Sequence, residues 1–458
     1  LHHCEFLAHF FLNIEAEEPV AKQGKEKISF LLQRVAFKQW ICCQLGAREH
    51  YAVARALQQG GRLATLYTDF WAGSVERKLG NGFGLDVAGA AASRFHPQLA
   101  DAAVTSWNVR ALLWEMQLRA QAKSGKRNGG SGSQYAGFIE VGRRFAIRVR
   151  EALRRRPGLG QDTVIFAYDT GALETMTWCR ERGIKCILNQ MDPNRVEVEL
   201  VREEEKRWPG WTRGTTEVPE AYFSRREQEW AMADRVVVNS AFCKQALVRQ
   251  GVAAEKVFIV PLCYEADQAP TPRSELRTLN SSPSTPPLRV LFLGQVILRK
   301  GIQYLMEAAR KLVNENIHFD VVGPIGISDD ARASAPRNLT FHGRTSRAEA
   351  TQWYARADVF VLPTLSDGFA ITQLEAMAHG LQVVTTPCCG DVVSDGVDGF
   401  IVPPRNADAL AKMFQRYLRE PGLLRYQSQA ALEKAKRYSL ATLAENLARL
   451  EDALRGRI

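Results

Sequence analysis

Short runs rich in Val, Ile, Leu and Phe alternate with segments whose apolar residues recur every three or four positions. Runs of the first kind fit strands buried on both faces, and segments of the second kind fit the helices that cover them. Beyond residue 287 the alternation is plain. LRVLFLG (288–294) predicts a strand, and 301–316 a helix with Ile302, Leu305, Ala309 and Leu312 on one face. HFDVVG and NLTFHG predict strands, and SRAEATQWYARA a helix opened by Ser346 as N-cap with Glu349 three residues on. DVFVLPT predicts a strand, GFAITQLEAMAHG a helix ended by Gly380, and QVVTT a further strand. Upstream, a strand near Lys38–Gln44 runs through Gly46 into a helix over REHYAVARALQQ. LATLYTD, TVIFAYD, KCILNQMD and DRVVVNS predict four more strands, and the Gly/Ser/Lys-rich stretch Ala122 to Ala136 a loop.

Strands alternating with helices predict parallel sheets. The stretch 266–287, rich in Pro, Ser and Thr and without apolar periodicity, divides them as a linker. The expected architecture is α/β, two facing Rossmann-like domains with a cleft between them. Residues 1–30 form a poorly defined extension, 31–265 a first (acceptor) domain, 288–430 a second (donor) domain, and 431–458 a C-terminal helix that packs back on the first. No repeat of 20–50 residues is visible. In such sheets ligands bind at the carboxyl ends of the strands.

Composition narrows the class. At 458 residues the chain is too long for one ordinary core. Its 46% hydrophobic and 24% charged residues exclude a disordered or fibrous protein. A net charge of +10 points to anionic partners. Nine cysteines without a CxxC pair fit a reduced, cytoplasmic protein. No apolar run approaches the ~18 residues of a membrane span. Phe6–Ile14 lacks the basic flank and cleavage site of a signal peptide. The run 142–157 holds seven Arg and one Glu around a stripe of Phe145, Val149, Ala152 and Leu153. It reads either as a basic amphipathic helix making peripheral contact with an anionic membrane, or as a core-facing helix with a solvated back. Nucleic acid is not an expected partner. Trp208 and Trp211 either line a loop or pack.

Candidate chemistry concentrates in 362–380. A strand ends at Pro363, and a polar loop delivers Asp367, Gly368, Phe369 and Ala370 to the start of a helix holding Glu375. Backbone N–H groups of a first helical turn suit an anion. One carboxylate before that turn and another about two turns on suit sugar and ribose hydroxyls. The bland alternative is a capping Asp and a solvated Glu. In the second loop, GQVILRKG (294–301), Arg299 and Lys300 stand at another helix start, where cations clamp a diphosphate. Neither a G-x-G-x-x-G fingerprint nor a P-loop is present, and no Asp-x-Asp is placed to hold a metal.

These two pieces in this order, with YARADVFVLPT and 388–410, resemble the retaining glycosyltransferases of family 4 (group 1 glycosyl transferases), which have the GT-B fold. The resemblance covers essentially all of the second domain. It implies a retaining hexosyltransferase using a UDP-, GDP- or ADP-sugar without a metal cofactor, acting on a glycan, lipid-linked or small-molecule acceptor in carbohydrate biosynthesis. By it, Asp367, Glu375 and Lys300 carry the catalysis. Gly294, Arg299, Lys300, Gly368, Phe369, Ala370 and Glu375 hold the donor, with Glu375 on the ribose. Asp367 stands where the family usually has Glu, one methylene shorter, and Gln295 where it commonly has Arg. GAREHYAVARAL (46–57) resembles the family's first strand–helix turn, which approaches both substrates. Gly46, His50, Tyr168 and Asp169 are therefore the acceptor-side candidates, the last two standing where many relatives carry a His. A nucleotide-sugar epimerase or hydrolase of the same fold, and a catalytically silent scaffold, are the alternatives.

Overall fold

The computed structural model describes residues 39–73, 94–108, 131–212, 214, 217–265 and 286–456. The extension 1–30, most of the linker and most of the stretch 122–136 lie outside them. The described residues form two fully parallel sheets. The first holds β1 (Gln39–Gln44), β2 (Leu63–Thr68), β3 (Val104–Ser106), β4 (Thr163–Tyr168), β5 (Lys185–Asn189), β6 (Arg235–Val238) and β7 (Val257–Ile259), in the order β3-β2-β1-β4-β5-β6-β7. The second holds β8 (Leu288–Leu293), β9 (Ile317–Val322), β10 (Leu339–Gly343), β11 (Val359–Leu362), β12 (Gln382–Thr385) and β13 (Gly399–Ile401), in the order β10-β9-β8-β11-β12-β13. In each, the order reverses beside the central strand, β1 or β8. That reversal opens a crevice at the strands' carboxyl ends. The edge strands β3 and β13, three residues each, are not among the strands read from the sequence.

Ile41, Cys43, Ile165 and Leu188 face one side of the first sheet, and Trp40, Cys42, Val164 and Phe166 the other. One core fills the second domain around Phe292, Phe319 and Phe360. The chain then returns. Leu440, Leu443, Leu447 and Leu450 of the helix Leu440–Leu454 join the first domain's core, where Trp40 Nε1 donates to Glu451 at 3.3 Å.

Three readings need correction. The helix Ser131–Arg154 takes in residues 131–136, so the stretch ending at Ala136 is not loop at its far end. Phe145, Val149 and Leu153 of the Arg-rich run 142–157 are buried in the first domain's core. Their burial stabilises the fold by about 1.5–3 kcal/mol each, and the membrane-facing stripe is therefore not on the surface. The segment 48–59 is not one helix. A tight turn (Arg48–Tyr51) precedes the helix Ala52–Gln59, with Glu49, His50 and Tyr51 at φ of 52°, 48° and 60°. Three successive non-glycine residues in the left-handed region are costly, and the fully buried Tyr51 ring helps hold them there. Trp208 and Trp211 pack on the second domain, Trp208 edge-on to Tyr304 at 5.8 Å.

Candidate functional site

The cleft wall of the second domain is two loops, each leaving the carboxyl end of a neighbouring strand. After β8 the chain passes Gly294, whose N–H donates to Val322 O at 3.0 Å. It then makes a single tight turn, Leu298–Lys300, before the helix Ile302–Lys311. Gly301 joins them at φ 76°, and a Cβ there would lie 1.9 Å from Pro363 O. Only glycine satisfies both demands, and its closeness binds this loop to the one after β11. Leu365 N–H and Thr364 Oγ1 both donate to Arg299 O, at 2.9 and 3.1 Å.

Lys300 forms an ion pair with Asp367, both largely buried. Burial, then the neighbouring Arg299 guanidinium, push the Lys300 ammonium down to about 7. Arg299 Nη1 donates to Ser366 O at 2.8 Å and reaches Glu197 Oε2, on the first domain, at 3.3 Å.

In the second loop Asp367 N–H donates to Cys388 O at 2.9 Å. The helix starts at Thr372, not at Gly368, so Gly368, Phe369 and Ala370 form a turn ahead of it. Ala370 takes φ 56°, so the helical path begins only beyond it, at Thr372. Their three backbone N–H groups have no hydrogen-bond acceptor among the described residues. The free donors expected of a helix end are thus supplied by this turn. Phe369 is buried, edge-on to Tyr438 at 5.9 Å. Gly368 touches the first domain, since a Cβ would meet Met191 O at 2.3 Å and Asn239 Nδ2 at 2.7 Å. Glu375, partly buried, accepts from the Tyr354 hydroxyl at 2.7 Å. Burial, ahead of the Glu375 charge, raises the Tyr354 phenol.

The opposite wall is made by the carboxyl ends of β1, β2 and β4. Gly46 (φ 81°) donates its N–H to Asp69 Oδ1 at 2.8 Å, and Arg94 bonds the same carboxylate at 3.0 Å. His50 is exposed and contacts Arg347 of the second domain. Tyr168 is buried edge-on to Phe166 and turned into the core, with its phenol raised by burial. Asp169, also buried, joins Arg48 at 3.1 Å and Arg226 at 2.5 Å. Its charge is committed to that network, which includes Asp192 at 2.8 Å from Arg226. Glu49, not singled out from the sequence, has Oε1 buried without a partner among the described residues, and burial raises its carboxyl to about 7.

Lys300, Arg299, Asp367 and the 368–370 turn therefore meet at one place. Glu375 follows on the adjoining helix, and His50 faces the second domain from across the cleft. Tyr168 and Asp169 belong to the first domain's interior. Glu197 and Glu204 escaped the sequence reading because they sit in the charged stretch VEVELVREEEK, which looks like a solvated helix face. Glu204 is instead fully buried, accepting from Gln303 Nε2 (2.9 Å), Tyr304 Oη (2.7 Å) and Arg405 Nε (2.7 Å), all on the second domain. No group of three or more His, Cys, Asp or Glu among the described residues is placed to hold a metal ion. No described helix is long and apolar enough to cross a membrane.

Residues 287–420 match the family model described as glycosyl transferases group 1. A D-inositol 3-phosphate glycosyltransferase of Streptomyces bingchenggensis is 26% identical over 246 residues, 49% of this chain and 54% of that protein. An N,N'-diacetylbacillosaminyl-diphospho-undecaprenol alpha-1,3-N-acetylgalactosaminyltransferase of Campylobacter jejuni is 25% identical over 207 residues, 44% of this chain and 52% of that protein. The chain thus spans about half the length of these curated relatives. Among solved structures, Anabaena HepE in complex with UDP superposes with a TM-score of 0.54 at 14% identity, covering 90% of this chain and 98% of that one. The shared architecture is that of the GT-B glycosyltransferases, two Rossmann-like domains facing each other.

Proposed function

We propose that the protein is a retaining glycosyltransferase that moves a sugar from a nucleotide-diphosphate sugar to a hydroxyl acceptor. The observation that carries this reading is the meeting of Lys300 and Arg299 with the unpartnered N–H groups of Gly368, Phe369 and Ala370, at the carboxyl ends of β8 and β11. Breaking the anomeric C–O bond leaves an oxocarbenium-like sugar and adds negative charge to the departing diphosphate. Fixed N–H dipoles and cations stabilise that charge most in the transition state, where it lowers the barrier. In this reading Glu375 accepts the ribose hydroxyls, oriented by Tyr354, and Asp367 lies beside the donor hexose. His50 and the Gly46 turn lie on the acceptor side. The match of 287–420 to group 1 glycosyl transferases supports the donor half. The relatives named above are an inositol phosphate glycosyltransferase and one acting on a lipid diphosphate, which favours a polyol or lipid-linked acceptor over a protein.

Purified full-length protein is expected to bind or slowly hydrolyse a UDP-, GDP- or ADP-sugar. Glu375→Ala is expected to lose at least about tenfold of that turnover, the scale of one lost charged hydrogen bond. Unchanged turnover in this variant refutes the site assignment. An inverted anomeric configuration in the product, read by NMR, refutes retention.

A further inference from the structure

We infer that Glu197 of the first domain occupies, in the donor-free protein, the place on Arg299 that the donor's diphosphate takes, so that donor entry displaces a carboxylate and Glu197 sets donor affinity. This deepens the reading of the cleft as a nucleotide-sugar site and rests on it.

Both cations of the 294–301 loop already carry a carboxylate. Lys300 holds Asp367 of its own domain, and Arg299 Nη1 lies 3.3 Å from Glu197 Oε2. The two carboxylates together bring the same charge as a diphosphate diester, so the cations are neutralised with no ligand present. Glu197 comes from across the cleft, in the first turn of the helix Arg195–Arg207. The far end of that helix is fixed to the second domain by Glu204.

The contrast between these two glutamates separates a tie from an exchangeable contact. Glu204 is fully buried and takes three second-domain donors at 2.7–2.9 Å. Glu197 keeps 24% of its side chain exposed and meets Arg299 at the long end of hydrogen-bond range. Its one short bond, 2.9 Å, comes from the neutral Ser366 hydroxyl. Desolvation, ahead of the attraction of Arg299, raises its carboxyl above the ordinary range, so its charge is poorly supported where it lies. A ligand bearing more charge, with the free N–H groups of 368–370 beside it, competes well for the same guanidinium.

Calorimetric titration of full-length protein with UDP tests the inference. Glu197→Gln keeps the hydrogen bonding but removes the competing charge, and is expected to tighten UDP about tenfold. Glu197→Asp draws the carboxylate back by one methylene and is expected to tighten UDP by about threefold. Arg299→Ala is expected to weaken UDP about tenfold or more. Inorganic pyrophosphate should follow UDP, whereas the affinity for uridine should not change, which a merely structural role for Glu197 does not predict. UDP affinity equal to or below wild type in both Glu197 variants, at wild-type melting temperatures, overturns the inference. Should Glu197→Gln fail to fold, Glu197→Asp decides alone. If wild-type protein binds none of UDP, GDP or ADP, the reading of the site fails instead, and the two failures are distinguishable.

Discussion

Lys300 is held between opposing influences. Burial, then Arg299, disfavour its charge and bring its pKa to about 7, against the weaker support of negative groups around it, Glu197 among them. A bound diphosphate adds negative charge and favours the ammonium, so the pKa rises on binding. The sign follows: above about pH 7 the free protein is missing some of this proton, and donor binding takes it up. Calorimetry with a nucleotide sugar, whose diphosphate does not titrate here, should give an uptake approaching one proton at pH 8–9 and none at pH 6. The comparison is made in buffers of different ionisation enthalpy. Lys300→Met should abolish the uptake. The charge and position of Lys300 could be read in GQVILRKG, but its pairing with Asp367 could not, because that contact spans 67 residues of chain.

At the level of elements, the site depends on how two strand–loop–helix units meet. Gly301 lets the β8 loop touch the β11 loop, and its φ of 76° and the 1.9 Å that would separate an added Cβ from Pro363 O both exclude a side chain. Gly301→Ala is therefore expected to destabilise the chain by about 2–4 kcal/mol. It should also weaken nucleotide binding through displacement of Lys300. Urea unfolding checks the first and titration with UDP the second; a wild-type midpoint contradicts this account of the contact. Periodicity located β8, β9, β10, β11 and β12, and the Ser346–Glu349 capping box formed as its spacing predicts. It failed where local propensity was overruled. The left-handed turn at Glu49–Tyr51 lies inside a helix-like pattern and is imposed by packing around Tyr51. Ala370, an ordinary helix former, takes φ 56° and delays the helix to Thr372.

For the whole molecule, the two domains are joined by buried charge as well as by the returning C-terminal helix. Glu204 is wholly buried with three second-domain donors. Glu204→Ala would strand those donors, one of them a charged guanidinium, at a cost of about 3–5 kcal/mol. The expected result is a larger radius of gyration by small-angle scattering and separate unfolding transitions for the two domains; an unchanged scattering profile would contradict it. The sequence by itself determined the α/β class, the central strands of both sheets, and the loops that carry Lys300 and Asp367, because strand and helix periods and turn residues are local properties of the chain. Tertiary structure decided the rest. It sent the apolar stripe of the Arg-rich run into the core, tied Asp169 into an internal ion network, and turned two ordinary-looking glutamates into contacts across the cleft. Burial and charge pairing arise between segments distant in the chain, so a surface charge and a buried one look alike until the domains are brought together.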